Sequence, residues 1–188
     1  MPTEFCVFLR FSSKEPSFFD IPEIDNPDLF EKAVESAALE FEPRERDEGW
    51  LSVWKAKTDD EEESLNAGFA ARRNKCQTLI CLRLPIELLE SADIQFKQDP
   101  VDDTFSYIAH LHYLLGMASE TDRKKLVKLI ISKLQDGSLD PDVLRYRIRK
   151  SDITPLLKKV YKRCCEEGVN VELEWAEAWA RTAAEEVD

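Results

Sequence analysis

Residues 50–56 read WLSVWKA, a run of tryptophan, leucine and valine that predicts a β-strand. Two other runs earlier and later in the first hundred residues, TEFCVFLRF at 3–11 and TLICLRL at 78–84, predict further strands, and DIQFK at 93–97 predicts an edge strand. Between the runs at 3–11 and 50–56, Asn26 and Pro27 have the residue types expected at the start of an amphipathic helix. The first part of the chain therefore combines strands with flanking helices.

From about Pro100 onwards the pattern predicts helices. Ser119 and Asp122 resemble a capping box, and Gly137 is expected to end the helix that they open. The predicted helical segments are FSYIAHLHYLLGMA (105–118), DRKKLVKLIISKLQ (122–135), DVLRYRIRK (142–150), LLKKVYKRCCEE (156–167) and part of the last twenty residues. The sequence thus predicts an α+β fold: a small N-terminal mixed sheet with flanking helices at 1–98, followed by a C-terminal helical bundle at 99–188. These two lobes could also form one compact domain.

Composition narrows the class of protein. A hydrophobic content of 43 % over 188 residues is typical of a globular chain. No apolar run approaches the roughly 20 residues that a membrane-spanning helix needs, and the N-terminus has no signal-peptide pattern. Five cysteines, an odd number, are predicted to be free thiols. We therefore expect a cytoplasmic protein in a reducing compartment, with no membrane partner.

The distribution of charge is the strongest anomaly in the sequence. The whole chain carries a net charge of -12, yet residues 123–163 are strongly basic, and residues 144–163 hold eight Lys or Arg against one acid, Asp152. Three interpretations remain open: solvated faces of amphipathic helices, a binding surface for an acidic protein or a phosphate backbone, or docking against the protein's own acidic first lobe. The candidate partner-binding residues are Lys124, Lys125, Lys128, Arg145, Arg149, Lys158, Lys159, Lys162 and Arg163.

Trp175 and Trp179 are four residues apart in the last predicted helix, so they would form one aromatic ridge. Core packing explains such a ridge most simply. Because tryptophan dominates many binding interfaces, the pair is also a candidate aromatic anchor for a partner protein.

No catalytic residue, metal site or cofactor site is predicted. The five glycines are too far apart to build a phosphate-binding loop. On a helix, His110 and His112 point in different directions, so we expect His112 inside, His110 outside and no shared metal. The acidic run 59–63 suits the first turn of a helix better than a calcium loop. The adjacent Cys164 and Cys165 are expected to be buried core residues.

These patterns favour a non-enzymatic adaptor or regulatory protein that binds an acidic partner protein through the basic helical surface. One alternative is a nucleic-acid-binding regulator that uses the same surface. Another is an acidic mimic of nucleic acid that acts through the N-terminal lobe. The sequence leaves the partner's identity and the oligomeric state open.

Overall fold

The computed structural model of the chain describes Ile21 and residues 25–71, 79–100 and 106–168. Within these residues the chain alternates α-helices with short strands. The helices are α1 (Pro27–Ala38), α2 (Asp59–Ala71), α3 (Ile86–Ser91), α4 (Ser106–Ala109), α5 (Glu120–Gln135), α6 (Pro141–Leu144) and α7 (Lys150–Glu166). The strands are β1 (Trp50–Trp54), β2 (Leu79–Leu82), β3 (Phe96–Gln98), β4 (His112–Gly116) and β5 (Arg145–Ile148). The strand predicted at 3–11 and the helix predicted in the last twenty residues lie outside the described residues.

The fold is α+β, as predicted. A three-stranded sheet has the order β1-β4-β3, with Trp50 opposite Gly116 and Phe96 opposite Leu115. β2 and β5 form a separate two-stranded ribbon. All the described pairings are antiparallel, whereas the sequence predicted a mixed sheet. Antiparallel pairing suits these short strands because it does not need a parallel crossover connection for each pair.

The first helix shows how local sequence sets an element. The side chain of Asn26 accepts hydrogen bonds from the N–H groups of Asp28 (3.0 Å) and Leu29 (3.1 Å), which satisfies two donors at the helix start. Val34 and Ala37 then lie on one face and are fully buried. The predicted start of α1 is confirmed.

The helix predicted at 105–118 is wrong over most of its length. Helix α4 ends at Ala109, and His112–Gly116 forms β4, the central strand of the sheet. His112 and Leu115 point to opposite faces of this strand and are both buried. A strand that is covered on both faces loses the simple alternation of apolar and polar residues. Its sequence therefore resembles that of a buried helix.

The helix predicted at 142–150 is also wrong. Helix α6 ends at Leu144, and Arg145–Ile148 forms β5 instead. Because Arg145 lies in β5, Arg145 and Arg149 are not one turn apart on a helix. Leu144 is fully buried, whereas Val143 is half exposed. The next helix, predicted at 156–167, starts at Lys150, so that Pro155 lies inside α7.

Two hydrophobic clusters make up the described core. The first packs one face of the three-stranded sheet, including Val53 and Leu115, against α1 and α5. The second lies between α2 and α7 and includes Leu65 and Leu157. Each cluster draws residues from both sides of residue 98. The division into lobes at 1–98 and 99–188 stays a prediction.

Candidate basic interaction surface

The structure places most of the nine candidate cations on two helices that do not pack closely against each other. Helix α5 carries Lys124, Lys125 and Lys128, and helix α7 carries Lys158, Lys159, Lys162 and Arg163. Arg149 immediately precedes α7, and Arg145 lies in β5. The candidate anchor residues Trp175 and Trp179 lie outside the described residues.

Helix α5 meets the acidic helix α1 through two ion pairs. Lys124 Nζ lies 2.9 Å from Glu35 Oε1, and Lys128 Nζ lies 2.7 Å from Glu31 Oε1. The lysine number rises while the glutamate number falls, so the two helices run antiparallel. Lys124 also contacts Glu120 on its own helix at 2.7 Å. These contacts raise the pKa of Lys124 and lower that of Glu120 from their ordinary values, in each case mainly through the hydrogen bond between them.

Helix α7 meets the acidic helix α2 in the same way. Lys159 Nζ lies 2.6 Å from Glu63 Oε1, and Arg163 Nη1 lies 2.6 Å from Asp60 Oδ1. Arg163 also donates to the Asp60 carbonyl oxygen at 2.8 Å and to the Ser64 hydroxyl at 2.6 Å. Its side chain is only 17 % exposed. The arginine is thus built into the interface between α2 and α7.

At least four of the nine candidate cations therefore pair with acids of the neighbouring helices α1 and α2. For Lys124, Lys128, Lys159 and Arg163, the structure corresponds to the third interpretation of the basic segment, docking against the acidic first lobe. An outside partner would have to displace α1 or α2 to contact them fully. Their role in binding a partner stays a prediction, and the internal ion pairs make them weaker candidates.

The outer face of α7 carries cations of a different kind. Ile153, Leu157 and Val160 define the buried face of this helix. Lys158 and Lys162 project from the opposite face, and both are exposed. The Lys162 side chain is 79 % exposed, and its described contact is with Glu166, 3.7 Å away on the same helix. Cations four residues apart lie on one face of a helix, so the exposed parts of both side chains can contact one partner without disruption of the core.

Lys125 and Arg149 are also exposed. Lys125 belongs to α5 and therefore to the α1–α5 side of the molecule. Arg149 is the residue before α7 and lies nine positions, or about two and a half turns, from Lys158. These two residues do not share the face that Lys158 and Lys162 form.

The most deeply buried cation among the described side chains was missed by the sequence analysis. Arg123 has a side chain only 7 % exposed, and it donates to the carbonyl oxygens of Met117 (2.7 Å) and Ala118 (3.1 Å). It also reaches Glu42 at 3.4 Å. Arg123 lies three residues before Leu126 and therefore on the apolar stripe of α5. This position was the feature of the sequence that could have predicted its burial. Arg123 fixes the exit of β4 to the first turn of α5.

The acidic run at 59–63 forms the start of a helix. Helix α2 begins at Asp59, as predicted. Asp60 and Glu63 pair with α7, and the buried Glu62 forms a hydrogen-bonded ion pair with Arg83. Glu62 and Arg83 were not singled out in the sequence. Their pairing links α2 to the end of β2, because a buried carboxylate requires a cation and hydrogen-bond donors.

The two histidines point as predicted, although they do not share a helix. His112 is buried on β4, and its Nδ1 lies 2.5 Å from the Asp99 carbonyl oxygen, to which it donates. Its ring packs edge-on against Trp54, with centroids 4.9 Å apart. His110 is exposed in the preceding turn. In the part of the chain that the structure describes, no three His, Cys, Asp or Glu side chains converge as a metal site.

The expectation for the cysteine pair is half wrong. Cys164 is buried in the second hydrophobic cluster, but Cys165 is exposed. Adjacent residues on a helix point about 100° apart, so only one of them can face the core fully. The pKa of the Tyr161 phenol is raised from its ordinary value. The larger cause is the negative charge of Cys165 when its thiol is ionised, and the smaller cause is the hydrogen bond between the two side chains.

None of the described helices is both long enough and apolar enough to cross a membrane. No protein-family model, no curated protein and no solved structure matches this chain.

Proposed function

We propose that this protein is a non-enzymatic adaptor or regulator that binds an acidic partner protein through the outer face of α7. The observation that carries the proposal is that the α7 cations lie on two faces of the helix. Lys159 and Arg163 lie on the face toward α2 and pair with its acids, and the exposed side chains of Lys158 and Lys162 lie on the face opposite the core. Lysines retained on an exposed face of an acidic protein favour acidic partners by attraction and repel basic ones.

The acidic-mimic alternative receives less support from the described geometry. A mimic needs carboxylates that are open to a basic cleft. Asp60, Glu63, Glu31 and Glu35 already face cations of the same chain. The charge that the N-terminal lobe can offer outside is reduced by these pairs.

The test compares two double reversals in a tagged pull-down from the native source, with and without nuclease. Lys158→Glu/Lys162→Glu should lose the partner protein. Lys32→Glu/Arg44→Glu changes the net charge by the same amount at two exposed cations outside the nine candidates, and it should keep the partner. Far-UV circular dichroism checks that both variants fold. Full retention of the partner by the α7 variant would contradict the proposal.

Nuclease treatment separates the proposal from the nucleic-acid alternative. A protein partner that survives nuclease supports direct binding. Recovery of nucleic acid, with co-purifying proteins lost after nuclease, would replace the proposal with the alternative. In that case affinity would also fall steeply with salt, because each neutralised phosphate releases a counterion.

A further inference from the structure

Ser151 lies at the boundary between a very basic stretch of the chain and helix α7. Of the six residues before it, RYRIRK (145–150), four are arginine or lysine. The serine is exposed at the second position of α7, where its hydroxyl donates to the neighbouring Asp152 carboxylate at 3.1 Å. Because this hydrogen bond is itself exposed, water can replace it at little cost. The Ser151 hydroxyl is therefore accessible to an enzyme that approaches from the solvent.

The basic residues nearest to Ser151 follow an extended segment. Strand β5 ends at Ile148, and Arg149 has the extended backbone angles φ -73° and ψ 153°. Arg149 is exposed and lies beyond the last pair of the β2–β5 ribbon, which joins Leu79 to Ile148. Arg149 and Lys150, two and one positions before the serine, can thus enter the substrate groove of another protein while the ribbon stays intact.

The first turn of α7 is weakly held. Arg149 immediately precedes the helix, and within the described part of the chain its side chain makes no capping hydrogen bond. Four residues after Ser151, Pro155 lies inside the helix and has no N–H, so the Ser151 carbonyl oxygen lacks its helical donor. Ile153 is the first residue of α7 described as buried. Opening of the turn before Ile153 breaks few hydrogen bonds and leaves this buried side chain in place.

We propose that Ser151 is a phosphorylation site for a protein kinase that recognises basic residues before its target serine. Acidic residues in the groove of such a kinase attract Arg149 and Lys150 and repel targets that are flanked by acids. The γ-phosphoryl group of ATP moves to Ser151 Oγ: the bond from phosphorus to the β,γ-bridging oxygen breaks, the bond from phosphorus to Oγ forms, ADP leaves, and the hydroxyl proton passes to the catalytic aspartate of the kinase. The phosphate carries a charge of about -1.5 to -2 at pH 7, so it offsets part of the positive charge of residues 144–163.

Ser138 has the opposite surroundings and serves as an internal comparison. It is exposed in the turn after α5, its backbone N–H donates to the Asp136 carboxylate at 2.8 Å, and Asp140 follows two positions later. A groove lined with acids repels such a target. Exposure alone makes the two serines equivalent, whereas the charge pattern favours Ser151.

The first test is mass spectrometry of the tagged full chain, isolated from its native source with phosphatase inhibitors. The peptide that contains Ser151 should carry one phosphate, which lambda phosphatase should remove. In parallel, the purified chain is incubated with ATP in an extract of the same source, and the initial rate of phosphorylation is measured at each site. Ser151 should be modified at least about tenfold faster than Ser138. Absence of phosphate at Ser151 in both experiments overturns the proposal, and so do equal rates at the two serines.

Matched variants test the recognition of the basic residues. Arg149→Ala/Lys150→Ala keeps Ser151 and should lower its rate of phosphorylation at least about tenfold, because two charge-assisted contacts with the kinase are lost. Lys32→Ala/Arg44→Ala removes the same charge at two exposed cations remote in sequence, and it should leave the rate within about twofold. Equal rates for the two variants overturn recognition through the basic residues.

Pro155→Ala tests the opening of the first turn. Alanine supplies the N–H that proline lacks and can complete the hydrogen bond to the Ser151 carbonyl oxygen, so the turn opens less often. The rate of phosphorylation at Ser151 should fall at least about threefold, while circular dichroism verifies the fold. An unchanged or higher rate contradicts this route to the kinase. Because these assays need no partner protein, their outcome is independent of the pull-down that tests the proposed function.

Discussion

Substitution of Arg123 by methionine is expected to destabilise the protein by about 2–3 kcal/mol. Methionine keeps most of the apolar stem but removes the guanidinium, which donates to the carbonyl oxygens of Met117 and Ala118. Hydrogen bonds to a charged group contribute about 1.5–3 kcal/mol, and the carbonyls are left with fewer donors. The 3.4 Å contact with Glu42 adds about 0.2–1 kcal/mol, because that carboxylate is 55 % exposed. The buried Nε, which has no partner, offsets part of this sum when it is removed.

Equilibrium urea unfolding, followed by circular dichroism, measures the change from the shift in midpoint at an unchanged slope. Glu42→Gln is the matched control, because it keeps the shape of the side chain and removes only the negative charge of the exposed carboxylate that contacts Arg123. We expect it to lower the free energy of unfolding by less than about 1 kcal/mol. Arg123→Lys retains one charged donor and should fall between the two. A loss below about 0.5 kcal/mol for the methionine variant, or a loss no greater than that of the glutamine variant, would refute the assignment of Arg123 as the clamp between β4 and α5.

Three further predictions concern single sites. Gly49→Ala should destabilise the protein by about 2–4 kcal/mol in urea unfolding, since it combines a positive φ of 85° with a new Cβ only 2.5 Å from a neighbouring side chain. Gly137→Ala, at a φ of 73° with open space around the new Cβ, should destabilise it by only about 1–2 kcal/mol. Equal losses for the two variants would contradict the close approach at Gly49. Lys124→Met should raise the pKa of Glu120 in an NMR titration. Because the pKa of Glu120 is lowered in the folded state, the ion pair stabilises the protein above the ordinary pKa of 4.5, and this stabilisation is lost as the pH falls through the folded-state pKa. The unfolding free energies of variant and parent should therefore converge at acid pH. A difference in unfolding free energy that stays constant at acid pH would contradict the role of this pair. Iodoacetamide should modify Cys165 in the folded protein, as peptide mass spectrometry can show, while its buried neighbour reacts only on unfolding; equal rates would contradict the different exposures.

The parts of the fold that sequence could predict are those with local causes. The start of α1 follows from Asn26 and Pro27, and the start of α5 follows from Ser119, whose hydroxyl accepts from the Asp122 N–H at 3.4 Å. Gly137 follows α5 with a positive φ, as expected for a residue just beyond a helix end. In each case the decisive contacts join residues within a few positions of each other. The sequence around the element therefore contains the cause.

The parts that sequence could not predict depend on distant partners. β4 is a strand because it pairs with β1 and β3, and β5 is a strand because it pairs with β2. The same limit applies to the candidate surface. The residue types identified a set of cations, but which of them meet acids depends on the packing of α1 on α5 and α2 on α7. Lys158 and Lys159 are neighbours of the same type, but Lys159 points toward α2 and pairs with Glu63.

The strand pairings have a consequence for the order in which the chain can fold during synthesis. Trp50 pairs with Gly116, and Leu79 pairs with Ile148, so β1 and β2 are both made long before their partners β4 and β5 leave the ribosome. The two pairings also interleave, since β2 is made between β1 and β4. Closing such long loops is slow compared with local helix formation. A nascent chain that has reached only the first hundred residues thus lacks the described partners of both strands, and unpaired strand edges promote wrong pairing. The acidic helices α1 and α2 are synthesised early and give this partial chain a net negative charge. Repulsion between the negative charges of neighbouring nascent chains opposes their association until the basic helices have been synthesised.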